Sequence, residues 1–394
     1  MAFFSRHDSY IGLDIGTSSV KLVEIRREGK SAVRLATYAS VSGANLLVEG
    51  RGGDAVARTA TILREMLRRC GASSIDVVAA LPSLSVFSAV LILPEMSERD
   101  LEKAVVFEAR NYVPSPLKDI VLGWTVIQDH DAPLGVWAGG VTSPAGASPV
   151  AAPSPAAPVG TAWARASAGV STMQPKARKT QEVFLTAAPK DLVQRYSSVI
   201  ERLNLRLVAL EIESFPLFRS LLGGESRPVF LVDIGAHATS FSIVDRGYLR
   251  LNQSIDLGGA SLTTAVTQKL GLASDEAEKR KRADGLSSPG GAESPASAAM
   301  KPVLRDIVER SQSLRRLYEQ KSKQQIAKVV LIGGGANMKG LPAFWSEVSG
   351  LPAEVGNPWK GIRVPAVLSE HLRILGPSFA VAVGLALREF EQSR

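Results

Sequence analysis

The chain has 394 residues, 45% apolar and 21% charged; this excludes global disorder and is too long for one ordinary core, so several subdomains are expected. Lys and Arg (46) exceed Asp and Glu (38) by 8, which suits a nucleotide, an anionic membrane face or nucleic acid, though no nucleic-acid motif is present. One cysteine, Cys70, excludes an intrachain disulfide and a cysteine-rich metal site and fits a reducing cytosol.

No apolar run approaches the roughly 20 residues needed to cross a bilayer, and the opening MAFFSRHDSY has no apolar core of signal-peptide length, so a soluble chain is expected. The first element is YIGLDIGTSSVKLVEI (10–25), two apolar strands joined by a tight polar turn, a hairpin. A helix follows, with Asp54 as N-cap, Val56, Ala60, Leu63, Leu67 and Cys70 at helical spacing, and Gly71 at its end. Residues 75–82, IDVVAALP, read as a buried strand.

Ser97 caps a second helix with an apolar stripe of Leu101, Val105, Ala109 and Tyr112, ended by VPSP. Phe107 and Tyr112 are assigned to the core, a partner groove being the alternative. Residues 119–128 and 181–189 read as an antiparallel pair, and a helix with Leu192, Tyr196, Val199 and Leu203 follows. Between the two strands, residues 132–180 are dominated by Ala, Pro, Gly, Ser and Val and are assigned as a disordered insertion carrying Trp137 and Trp163. Residues 283–300 are assigned as a second loop of this kind.

VDIGAHATSFSIV, within 228–259, repeats the opening LDIGTSSVKLVEI, with Asp-Ile-Gly at the same place and a further turn at DRG, so the chain reads as two related halves. Helical segments surround the second loop; the later one has Pro302 near its start and Val303, Ile307, Leu314 and Tyr318 along one face. Strand, glycine loop and helix follow in 326–350, and GPSFAVAVGLALREF closes the chain as a packed helix too short to span a membrane.

Glycines and small hydroxyl residues let backbone N–H groups cradle phosphate oxygens, and aspartates in two separate turns can hold a hydrated Mg²⁺ between them. Two Asp-Ile-Gly turns and the GGGAN loop, each after an apolar strand, form that constellation. In this order they resemble the phosphate 1, phosphate 2 and adenosine motifs of the actin, sugar-kinase and heat-shock-chaperone ATPase superfamily. Within it YIGLDIGTSSVKLVEI, LPEMSERDLEKAVVFEARNYVPSPLKDIVLGWTVI, VALEIESFPLFRSL, DEAEKRKR and LIGGGANMKGLPAFWSEVSGLPAEVGNPW resemble the PilM family of type IV pilus assembly.

The resemblance implies an α/β, actin-like (ribonuclease H-like) duplicated fold with two lobes and an extra subdomain of the FtsA and PilM type. Residues 1–82 would form the first actin-like subdomain, completed by about 205–227 and the C-terminal helix, and 83–204 the extra subdomain. Residues 228–260 and 326–375 would form the second actin-like subdomain, and 261–325 a small helical nucleotide lid.

The same resemblance implies site roles. Asp14 and Asp233 would hold Mg²⁺ through water. Gly16, Thr17, Ser18 and Ser19 would meet the terminal phosphates of ATP, with Lys21 either adding charge or standing as a solvated strand residue. Gly235 and Thr239 would complete the second phosphate turn, and Gly333, Gly334, Gly335 and Asn337 would line the nucleoside pocket. Glu278 and Lys281, one helical turn apart, would contact the ribose or form a surface ion pair. Glu213 would position the attacking water or serve as a hinge residue. Ala236, His237 and Ala238 stand where fast-hydrolysing members have a glycine-rich turn, so hydrolysis is expected to be slow at most.

The function implied is a cytoplasmic ATP-binding scaffold of the pilus inner-membrane platform, capturing the N-terminal cytoplasmic segment of PilN. Association with the membrane would come only through partners, and the resemblance admits other platform or motor ATPase components and self-association. The alternatives are a small-molecule kinase or phosphohydrolase of the same superfamily and an FtsA-like division protein. A kinase needs a general base, and none stands out beside Asp233; the closing ALREFEQSR has too little apolar face to attach FtsA-like to a membrane.

Overall fold

The aliphatic runs on either side of Gly16–Ser19 form strands β1 (Ser9–Ile15) and β2 (Ser19–Glu28), paired antiparallel with Asp14 opposite Lys21. This is a computed structural model, describing residues 8–29, 31–42, 53–127, 179–286 and 293–391. The insertion with Trp137 and Trp163 lies outside the described residues, apart from Lys179 and Thr180. Strand β3 (Ala32–Ser42), half polar and without a strong signal in the sequence, pairs with β2. Helix α1 (Gly53–Cys70) already includes Asp54, the residue expected just ahead of it. Strand β4 (Asp76–Leu81) is buried throughout and runs parallel to β1.

A small unit follows. Strands β5 (Phe87–Pro94), β6 (Ile120–Ile127) and β7 (Thr180–Pro189) form an antiparallel sheet in the order β5-β7-β6, and helix α2 (Glu98–Tyr112) covers it. Ser97 caps α2 as expected, accepting from the N–H of Asp100. Leu101, Val105 and Ala109 are buried, but Phe107 and Tyr112 are 63% and 50% exposed, against their assignment to the core. Only one face of α2 meets the sheet: Phe107 points off it, and Tyr112 stands at its end.

Helix α3 (Lys190–Arg202) buries Leu192, Tyr196 and Val199 as the spacing predicts, but in one core with Val56 and Leu63 of α1. It therefore packs with the first sheet, although the sequence division assigned it to the extra subdomain. Strand β8 (Arg206–Ile212) then joins β4 in parallel, and helix α4 (Ser214–Leu221) follows.

The second half rebuilds the first. Strands β9 (Val229–Ile234), β10 (Thr239–Asp245) and β11 (Tyr248–Ile255) form an antiparallel meander whose last turn places Arg246 and Gly247 at φ of 50° and 78°, the left-handed pair a two-residue hairpin needs. Helices α5 (Gly259–Leu270), α6 (Ser274–Asp284) and α7 (Pro295–Ser322) precede β12 (Lys328–Ile332), helix α8 (Leu341–Ser349) and β13 (Ala353–Val355). Strand β14 (Ile362–Arg363) crosses back to β3, inside the stretch assigned to the second subdomain, and helix α9 (Ser369–Glu391) ends the described chain.

Two corrections fall in this half. Within 283–300 the described residues are largely helical, 283–284 ending α6 and 295–300 opening α7, because Ser294 caps α7, Pro295 opens it and the alanines after it favour helix; 287–292 lie outside the described residues. Pro302 is consequently inside α7, not at its start.

The sheet orders are β14-β3-β2-β1-β4-β8 and β11-β10-β9-β12-β13, so β3-β2-β1-β4-β8 and β11-β10-β9-β12-β13 are the same five-strand design. Helices α4 and α9 cross between the two sheets. A Cβ on Gly384 of α9 would lie 1.8 Å from the Pro216 carbonyl of α4, and one on Gly12 of β1 would lie 1.9 Å from the Ala382 carbonyl of α9. The segment Ala366–Glu391 is long and apolar enough by length and composition to cross a membrane, contrary to the sequence reading; here Phe379 through Ala386 are buried in the protein core.

Glu211 on β8 is 1% exposed and takes a bidentate pair of bonds from Arg219 of α4 (2.9 and 3.1 Å) and one from Arg388 Nε of α9 (2.9 Å). Glu211→Ala would leave two guanidinium groups buried without their shared anion. A loss of about 3–5 kcal/mol in unfolding free energy by urea denaturation is expected; a loss below about 1 kcal/mol would show that the cluster does not hold the helix pair.

Candidate functional site

Because β1 and β9 occupy the same place in their sheets, the turns that follow them face each other. Each closes in the same way: Gly16 N–H donates to Ser19 O at 3.0 Å and Gly235 N–H to Ala238 O at 2.9 Å. The repeat seen in sequence is thus a repeat of turn geometry. His237 Nδ1 lies 3.2 Å from Thr17 Oγ1 and joins the two turns.

Three acids converge below them. Asp14 is buried and pairs with Lys21 Nζ at 3.3 Å, which shows Lys21 to be a cleft residue rather than a solvated one. Burial, and then the charge of Asp14, raise the Asp233 carboxyl to about 6, only partly countered by Lys21. Burial, Asp14 and Asp233 together raise Glu213 to about 8, although it accepts the Ser83 N–H at 2.8 Å. Tyr196, which sequence spacing marked only as a helix-face residue, is fully buried here with its hydroxyl 3.4 Å from Ile15 O; burial, Glu213 and Asp14 push its phenol well above the ordinary value. One lysine among three mutually repelling carboxylates leaves the cleft floor short of positive charge, although among the described residues no three acidic, histidine or cysteine side chains are grouped closely enough to ligate a metal ion directly.

The glycine loop divides its labour. A Cβ on Gly333 would meet Asp233 Oδ1 at 2.2 Å and one on Gly335 would meet Ile234 Cγ2 at 2.4 Å, so both are needed for the loop to lie on the end of β9. Gly334 has nothing within 4 Å of that position, and Asn337 is exposed. These two remain available to a ligand.

Other expected residues are placed differently. Thr239 is fully buried, with its hydroxyl donating to Leu257 O at 2.7 Å, because it begins β10 facing the sheet interior; it does not reach the cleft. Lys281 is buried and its Nζ donates to Gly259 O and Thr263 Oγ1, each at 2.9 Å, while pairing with Glu278 at 2.6 Å. The pair therefore braces α6 against the start of α5 and is not a surface ion pair. Burial disfavours the Glu278 anion, yet bonds from Lys281, Thr263 and Arg282 outweigh it and hold the carboxyl at about 2.

Sequence reasoning passed over Gly258 and Gly259. A Cβ on Gly258 would lie 2.8 Å from the carbonyl oxygens of both Gly235 and Ala236, and the N–H groups of Gly259 and Ala260 donate to those carbonyls at 2.9 and 2.7 Å. The free N–H groups of the α5 terminus hold the second turn in shape. Adjacent glycines at the junction of a strand and a helix were the available signal.

Two copies of one strand-turn-strand unit, opposed across a cleft and joined by crossing helices, define a protein of the actin-like class. A solved PilM-PilN type IV pilus biogenesis complex is similar over 98% of this chain and 99% of that one, at 26% identity and a TM-score of 0.74. The ethanolamine utilization protein EutJ from Carboxydothermus hydrogenoformans shares the fold, with a TM-score of 0.50 at 16% identity, covering 96% of this chain and 89% of its own. Two cell division proteins FtsA, from Rhizobium meliloti and Borreliella burgdorferi, are 24% and 25% identical over 178 and 236 residues, 40% and 54% of this chain; the matches span 39% and 55% of those relatives' lengths. The type IV pilus assembly protein PilM family matches residues 12–133 and 169–390, and the chain belongs to that family.

The raised carboxyls set the pH response of the ligand-free protein. Both bind protons when folded at pH values where the unfolded chain has released them, so their contribution is full below the ordinary values of 3.8 and 4.5 and is lost as pH rises through about 6 and about 8. The melting temperature should fall between about pH 5 and about pH 8. Glu213→Gln should flatten the upper part of that fall, and Mg²⁺ should raise the melting temperature more at the alkaline end. Equal slopes in wild type and variant would refute the assignment.

Proposed function

We propose that this chain is an actin-like scaffold of the type IV pilus assembly platform, which binds ATP with Mg²⁺ between its lobes and captures the N-terminal cytoplasmic segment of a PilN-like inner-membrane protein. The observation that carries the nucleotide part is the pair of opposed turns above three clustered carboxylates. Asp14 and Asp233 would hold Mg²⁺ through water. Backbone N–H groups of the two turns, with the hydroxyls of Thr17, Ser18 and Ser19, would meet the phosphates. Gly334 and Asn337 would border the nucleoside.

Bound Mg²⁺ supplies positive charge where the cleft lacks it, and the nucleotide would favour a closed arrangement of the lobes by its differential affinity for it. Before a cation arrives, burial and then the charges of Asp14 and Asp233 push the Glu213 carboxyl up to about 8. Ala236, His237 and Ala238, in place of a glycine-rich second turn, support slow hydrolysis at most, with function carried by binding. Membership of the PilM family supports capture of PilN, and with it a cytoplasmic location at the inner membrane through the partner.

Calorimetric titration with a non-hydrolysable ATP analogue and Mg²⁺ should give saturable, Mg²⁺-dependent binding. Each of Asp14→Ala and Asp233→Ala should weaken it by roughly 10–100-fold, as loss of an outer-sphere metal partner does. The double variant should still bind a synthetic peptide of the PilN-like N-terminus. Failure of the folded wild type to bind nucleotide would reduce the protein to a peptide-capturing adaptor, and failure to bind the peptide would remove the scaffold reading.

A further inference from the structure

The two turns have the same closure and unlike chemistry. Gly16-Thr17-Ser18-Ser19 presents three hydroxyls, whereas Gly235-Ala236-His237-Ala238 presents two methyl groups and one imidazole. Around them Asp14, Asp233 and Glu213 offer only acceptors when ionised, and the Lys21 charge is held by Asp14 at 3.3 Å. Thr239, the next hydroxyl of the second lobe, faces away and donates to Leu257 O. Side-chain hydrogen-bond donation from the second turn toward the cleft therefore rests on His237. Its Nδ1 already reaches across to Thr17 Oγ1 at 3.2 Å, over the space between the turns.

Building on the nucleotide-binding reading, we propose that His237 is the specificity-determining residue of this site: its ring N–H recognises the terminal phosphate of a nucleoside triphosphate, exchanging the Thr17 hydroxyl for a phosphate oxygen. A hydrogen bond to an anionic oxygen is shorter and stronger than one to a neutral hydroxyl, so the exchange favours the triphosphate. A diphosphate, one phosphoryl group shorter, leaves His237 on Thr17. The contact linking the lobes then distinguishes the two nucleotides, and the imidazole replaces the backbone access that a glycine-rich second turn would have provided.

Binding of Mg²⁺ with the ATP analogue and of Mg²⁺ with ADP is compared by calorimetry for wild type, His237→Ala and His237→Gln. His237→Ala should lower affinity for the analogue roughly tenfold and change that for ADP by less than about twofold. His237→Gln, which keeps an N–H donor, should retain part of the preference. His237 is exposed, so folding of the variants is not at stake, and thermal melting checks it. If analogue binding is intact and the preference is unchanged in His237→Ala, or if both nucleotides weaken equally, the assignment of His237 is overturned while the nucleotide site stands. If the folded wild type binds neither nucleotide, the site itself is overturned.

Discussion

The close crossing of α4 and α9 is the contact on which the cleft depends. Glycine at position 384 lets α9 rest on the Pro216 carbonyl, and glycine at position 12 lets β1 rest on α9, at separations no side chain would permit. The same helix accepts the Gly333 N–H at the carbonyl of Pro377, 2.9 Å away. One helix thus bears on the strand that carries Asp14 and on the loop that lies against Asp233. The buried Glu211, Arg219 and Arg388 hold the crossing in register with directional bonds that apolar packing alone lacks.

Given that frame, the electrostatics of the cleft follow from the duplication. Repeating a strand whose next-to-last residue is aspartate and turning the copies toward each other brings like charges together, and the arrival of Glu213 at the start of α4 adds a third. Lys21, opposite Asp14 on β2, partly offsets them. The remaining deficit appears in the raised carboxyls of Asp233 and Glu213. A folded protein keeps such a cluster at a cost in stability, and a bound cation removes that cost.

The small three-stranded unit is tied to this cleft rather than appended to it. Ser83, just before β5, donates its N–H to Glu213. Beside it, Asn252 of β11 accepts from Ser214 at 2.6 Å and from Ser242 at 3.0 Å, and its amide lies 3.4 Å from Ser88 of β5. Arg250 of β11 pairs with Glu182 of β7. The small unit and the cleft thus adjoin through the bonds of Glu213 and Ser214.

Local order was legible in the sequence wherever a short segment determines its own geometry. The two Asp-Ile-Gly turns, the glycine loop, the capped helix after Ser97 and the duplication itself all rest on periodicity and turn residues that act within a few positions. Tertiary structure decided the rest. Phe107 and Tyr112 have core chemistry, but the sheet beneath α2 covers a single face. Thr239 and Lys281 have ligand chemistry, but Leu257 and Gly259, distant in sequence, take their polar atoms. Glycines 12 and 384 have no local signature, since the need for them comes from a second backbone brought close by the fold. What a residue's own type and neighbours set could be read directly; what was settled by the segment arriving opposite it required the packed chain.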